Sequence, residues 1–170
     1  MFDTHSTELS EAVIAGRLIL AVALGAVIGY ERERLARPAG LRTHMLTALA
    51  AALFTVLTME IHAIALKEAG NVASDPIRVI EAVTAGVAFL AAGAIFRSQG
   101  DVQGLTTGAG MWLAGAIGVA TGAGYFVLAA MATALAAFIL AVLRRLELGS
   151  NGKAGKDRKG DKTRQDDKSG

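Results

Sequence analysis

The chain has 170 residues, enough for one modest domain, and 53% of it is hydrophobic. A mean hydropathy of +0.46 with long charge-free runs excludes an ordinary soluble globule, and zero cysteines exclude disulfides, thiolate metal sites and thiol catalysis. The net charge of +2 and the pI near 9.2 do not describe a nucleic-acid binder, because the basic residues sit in short loops and a tail instead of on one face interleaved with aromatics.

The first eleven residues carry Asp3, Glu8 and Glu11 but no Lys or Arg, unlike the basic start of a signal peptide, so the first apolar segment is expected to be retained. That segment is residues 12–30, interrupted by Arg17. A second runs over 45–65, with Glu60 and His62 near its far end, and a third over 79–96, with Glu81 near its start. Each approaches the roughly 20 apolar residues that cross a hydrocarbon core. The next run, Gly104 to Leu143, is free of charge. As one helix it would measure about 60 Å, twice the core thickness. It must fold back, and Thr121-Gly122-Ala123-Gly124 is the turn signal, giving spans over 105–121 and 124–143.

The expected fold is therefore an all-α membrane protein, a bundle of about five transmembrane helices over residues 1–148. A polar tail over 149–170, without apolar periodicity, is expected to be disordered. From Arg144 onward nine of 27 residues are Lys or Arg. With the N-terminus outside, Arg32, Arg34, Arg37, Arg42, Arg97 and that tail all fall on the inner side, leaving only Lys67 and Arg78 outside, so the positive-inside rule predicts N-out, C-in. The pairs Gly25/Gly29, Gly104/Gly108 and Gly118/Gly122 have the small-xxx-small spacing of closely packed spans, and such faces point to a homo-oligomer.

Four ordered motifs carry a resemblance. Gly29-Tyr30-Glu31-Arg32-Glu33-Arg34 ends the first span and is followed by Ala39-Gly40-Leu41-Arg42-Thr43-His44. Asp75-Pro76-Ile77-Arg78 leads to the third span, whose stretch from Thr84 to Ile95 is rich in small residues. Gly104-Leu105-Thr106-Thr107 opens the fourth, followed by Trp112 and the run from Gly118 to Gly124. Together these resemble the N-terminal membrane domain of the MgtC/SapB family, over about residues 15 to 146. The chain departs from the family pattern at Ala88 and Ala91, where glycine is usual, and at Glu81, where an uncharged polar residue is usual. It also has a short tail where longer members carry a folded cytosolic domain. The resemblance implies a multi-pass protein of the bacterial inner (plasma) membrane, similar to proteins linked with growth in low magnesium, virulence and acid stress. It implies partners among other membrane machinery, including subunits of the proton-translocating ATP synthase.

Two groups of residues are candidates for function. Glu31, Arg32, Glu33, Arg42, Thr43, Arg97, Thr106 and Thr107 all belong at the inner interface. There the free amides opening the fourth helix, beside Arg42, would suit an anion. The competing reading makes Thr106 a helix cap and has Glu31 or Glu33 pair with an arginine across the bundle. The second group is an intramembrane pair, Arg17 with Glu81, at similar depth, since a charge within a span usually pairs or faces a polar cavity. No cofactor or metal follows from the sequence: Glu31 and Glu33 lie too close together to share a helical face. No nucleophile-and-base set or phosphate loop appears, so the chain is read as a non-enzyme. The leading function is modulation of other membrane proteins in magnesium or ion homeostasis or stress adaptation. The alternative is a small-solute or ion transporter or channel lined by Arg17, Glu81 and the glycine-rich helices.

Overall fold

The structure, a computed structural model, describes residues 7–69, 77–98, 101–142 and 145. The expected disordered tail over 149–170 and the Asp75-Pro76 pair lie outside the described residues. Helices α1 (Glu11–Arg34), α2 (Leu41–Ala69) and α3 (Ile77–Gly93) are followed by a hairpin of β1 (Phe96–Ser98) and β2 (Asp101–Gln103), then by α4 (Leu105–Gly122). A fifth helix, α5, covers Phe126–Val142. The chain divides into two units, Met1–Ala134 and Leu135–Gly170. In the second, the described part is essentially the last two turns of α5.

Helices α1 and α2 are long and apolar enough to cross a membrane. Only 22% and 28% of their most apolar windows are buried inside the protein, which separates them from the core helices of a soluble fold. Their outward residues are large and apolar: Ile19, Leu46, Leu53, Phe54 and Leu57 are all exposed. A helix apolar on every side and left open in this way fits a lipid surround.

Within the first unit the helices alternate in direction, and small residues let them do so at close range. The bare backbone of Gly29 lies against Leu41 and His44, which sets the end of α1 beside the start of α2. Gly118 and Gly122 of α4 rest on the backbone carbonyls of Ala48 and Ala52, so α4 runs parallel to α2. Gly115 faces Val87 and Gly108 faces the Ala91 carbonyl, so α3 runs antiparallel to α4. Small side chains make up much of the core, with Ala21, Ala48, Ala52 and Ala114 fully buried beside the larger Ile28 and Ile117. Without a hydrophobic force between helices in lipid, this close backbone approach supplies the dispersion contact that holds the helices together.

The expected turn after the fourth helix is present: α4 stops at Gly122, and Gly124 takes a left-handed φ of 87°. Tyr125 N–H bonds Ala120 O at 2.8 Å and Gly124 N–H bonds Thr121 O at 3.0 Å, the paired bonds of a Schellman motif. Two features depart from expectation. The first helix does not end at Tyr30 but continues one turn to Arg34, so Glu31 to Arg34 are helical. The connection from the third helix to the fourth also contains an antiparallel hairpin in which Arg97 pairs with Val102. Three-residue strands are too short to give a readable alternation.

Candidate functional site

The end of the bundle where α1 turns into α2 gathers the charged connection. α1 stops in the same way as α4. Arg37 N–H bonds Arg32 O at 3.2 Å and Ala36 N–H bonds Glu33 O at 3.0 Å, with Ala36 at a left-handed φ of 49°. The chain then reverses through Pro38 and Ala39. On the return, the Leu41 N–H that opens α2 donates to the Glu33 carboxylate at 2.9 Å. Glu33 thus supplies from the end of one helix the acceptor that the start of the next lacks. Gly40 makes room for it, since a Cβ there would overlap the Glu33 carboxylate.

Arg32 is buried, and its Nε lies 3.2 Å from Glu31 Oε2. Arg34 holds its guanidinium over the Tyr30 ring, 5.8 Å from the centroid. Arg37 and Arg42 are exposed. Deeper in the bundle, His44 is wholly enclosed. Its Nδ1 is 2.8 Å from Gly40 O, and its Nε2, without a hydrogen-bond partner, faces the bare backbone of Gly110 on α4. His44 therefore fills space between α1, α2 and α4, against Gly29 on one side and Gly110 on the other.

The helix directions put the predicted inner-face residues at this one end. Glu31, Arg32 and Glu33 end α1, Arg42 and Thr43 open α2, Arg97 lies in the hairpin, and Thr106 and Thr107 open α4. The described side chains among them differ in depth. Thr107 is buried while Thr106 and Arg42 are exposed. Neither threonine caps α4, contrary to the reading of Thr106 as a cap. The N-cap is Gly104, at a left-handed φ of 87°, with no side-chain cap bond. A side chain there would strike the Ala94 carbonyl, so the hairpin's close approach leaves no room for a capping residue.

At the opposite end, the pairing of Arg17 with Glu81 is corrected. Arg17 Nη1 donates to Gly122 O at 2.6 Å, and Glu81 lies exposed on α3. Among the described residues the salt bridges are Arg32 with Glu31 and Lys67 with Glu8. The reason is physical: the final carbonyls of a helix have no intrahelical partner and carry partial negative charge, so α4 itself offers the guanidinium an acceptor. Nearby, Glu60 is buried and accepts the Glu8 and Leu9 amides at 2.5 and 3.1 Å, tying the segment before α1 to the far end of α2. Sequence reasoning placed Glu60 at this face but gave it no task. His44 was quoted within a motif and likewise given none. Their signal was polarity inside an apolar pattern, which marks a site without identifying its partner. Among the described residues no three His, Asp or Glu side chains converge as a metal ion would require.

A family model described as MgtC family matches residues 18–148. The chain belongs to the MgtC family. It is 40% identical over 135 residues to Protein MgtC of Brucella abortus, an alignment covering 79% of this chain and 51% of that protein. It is 37% identical to Protein SrpB of Synechococcus elongatus, covering 77% of this chain and 75% of that one. A third relative, named Putative magnesium transporter YhiD, is from Escherichia coli. It is 36% identical, with 76% of this chain and 60% of that protein aligned. This MgtC-family chain spans about half the length of the first curated relatives it matches. No solved structure matches it.

Proposed function

We propose that this MgtC-family protein is a multi-pass protein of the bacterial inner membrane, N-terminus outside, that modulates other membrane proteins in magnesium or ion homeostasis and is not an enzyme. The observation that carries this reading is how the charges at the α1–α2 end are used. Glu31 and Glu33 are each engaged within the chain, Glu31 by Arg32 and the exposed Glu33 by the Leu41 amide, while Arg34, Arg37 and Arg42 stand exposed around them. The acidic groups are spent on architecture and a cationic rim is presented. Such a rim suits an acidic surface on a partner, with a salt-sensitive attraction. ATP synthase subunits are one such partner, by family resemblance alone.

The test is to introduce a photo-crosslinking residue at the exposed Leu35 in cells and to compare the chain that is otherwise wild type with one that also carries Arg34→Gln, Arg37→Gln and Arg42→Gln. The wild type is expected to yield a discrete membrane-protein adduct that the triple variant loses at equal membrane abundance. Adduct formation unchanged in the triple variant would sink the proposal. The name of the Escherichia coli relative favours a second reading, transport. Protein in liposomes that carries Mg²⁺ at a rate abolished by substitution of Arg17 would establish transport over modulation.

A further inference from the structure

Between α2 and α3 lies a groove of about 800 Å³. It is bordered on α2 by Thr47, Phe54 and Thr58 and on α3 by Arg78, Gly86 and Leu90. The two hydroxyls are satisfied within their own helix: Thr47 Oγ1 donates to Thr43 O at 2.8 Å and Thr58 Oγ1 to Phe54 O at 2.9 Å. What remains is an apolar trough with one charge at its end, the exposed Arg78, which has no ion-pair partner among the described residues.

We propose that this groove holds one anionic phospholipid, with an acyl chain along the trough and the phosphate on the Arg78 guanidinium. Three observations select that occupant. The stretch from Thr47 to Thr58 is about 17 Å long at 1.5 Å per residue, and one leaflet of the hydrocarbon core is about 15 Å deep. The trough is long and narrow with apolar walls along α2 and α3, a shape that suits an extended acyl chain. The single cation stands at the α3 N-terminal end, where a lipid headgroup would lie, and a guanidinium matches a phosphate. The inference rests on the membrane-spanning reading above.

The test uses the full chain, purified in detergent and loaded with phosphatidylglycerol or phosphatidylcholine, with retained lipid counted by native mass spectrometry. The wild type is expected to keep one phosphatidylglycerol in preference to phosphatidylcholine. Arg78→Gln, a change at an exposed position, should weaken phosphatidylglycerol retention about tenfold, the scale of one lost charge-assisted bond. Gly86→Phe should abolish retention of either lipid, because a side chain at Gly86 meets nothing within 4 Å and enters the groove freely. Equal retention of both lipids by the wild type, or unchanged retention in both variants, overturns the proposal. So does a wild-type dimer that Gly86→Phe converts to monomer, which would show a second copy in the trough. A wild type absent from the membrane fraction defeats the spanning reading as well; one that fractionates with membranes but keeps no lipid defeats the groove assignment alone.

Discussion

Glu33 is a solvent-exposed carboxylate whose partner is a backbone amide eight residues further on. An acceptor lost from an otherwise free helix amide costs about 1 kcal/mol. Glu33→Ala should therefore lower stability by about that amount, read as a shifted thermal melt in detergent, and Glu33→Gln, which keeps a carbonyl acceptor, should lose less. Gly40→Ala should cost about as much as Glu33→Ala, because its Cβ would strike only the flexible Glu33 carboxylate and push it off the Leu41 amide. None of this was legible in the sequence. The charged segment stands out at once, but the choice between a guanidinium and an amide for Glu33 depends on how sharply the chain turns at Ala36. The left-handed φ at that alanine leaves no mark on composition. Glu31 was only half readable: an arginine was the expected partner, but one across the bundle, and the arginine found is its chain neighbour Arg32.

At the scale of elements, α1 and α4 end in the same hydrogen-bonded turn, with a different residue at the left-handed position. α4 has Gly124 there and α1 has Ala36. A Cβ in that conformation costs roughly 1–2 kcal/mol, offset in part by the greater freedom glycine gives the unfolded chain. Ala36→Gly is expected to stabilise the protein by about 0.5–1 kcal/mol, visible as a raised melting temperature. Gly124→Ala should do the reverse by a larger margin, since its Cβ would also press on Arg17 Nη2 at 3.2 Å. The contact between α2 and α4 makes a sharper claim. Gly118 lies on the Ala48 carbonyl, so Gly118→Leu should separate the two helices, at about 1–3 kcal/mol or more. If Gly118→Leu melts like the wild type, the packing described here is wrong. The small-xxx-small spacing announced this contact, because that pattern is itself the geometric requirement for close approach. The hairpin between α3 and α4 was missed for the opposite reason: its three-residue strands are too short for an alternation to be read.

For the molecule as a whole, the five helices were readable because long apolar runs stand out by length and hydropathy alone, and the α4–α5 turn because a run of 40 uncharged residues is too long for one helix of ordinary length. The arrangement of helices was less readable. The choice of carbonyl over carboxylate by Arg17 shows why: the winning acceptor was a helix end, which every helix has and no side chain reports. Orientation can be tested directly, because the chain has no cysteine to remove. Arg37→Cys and Lys67→Cys should be labelled by a membrane-impermeant maleimide from opposite sides of the membrane, Lys67→Cys from outside intact cells. Labelling of both from one side would refute the N-out arrangement.

The bond from Arg17 to the Gly122 carbonyl joins groups 105 residues apart. At roughly 5–20 residues per second, a ribosome takes about 5–20 s to make the acceptor after the donor has emerged. During that interval a guanidinium at the edge of the first span has no α4 to meet, and a charge deep in a nascent helix disfavours insertion by up to about 3 kcal/mol. On the membrane-spanning reading, biogenesis is expected to have an order, α1 entering the bilayer with its arginine held at the interface and being latched only when α4 arrives. A chain truncated before Gly118 should insert α1 yet leave it open to protease at the Arg17 end. The full chain should gain protection there only after α4 is complete.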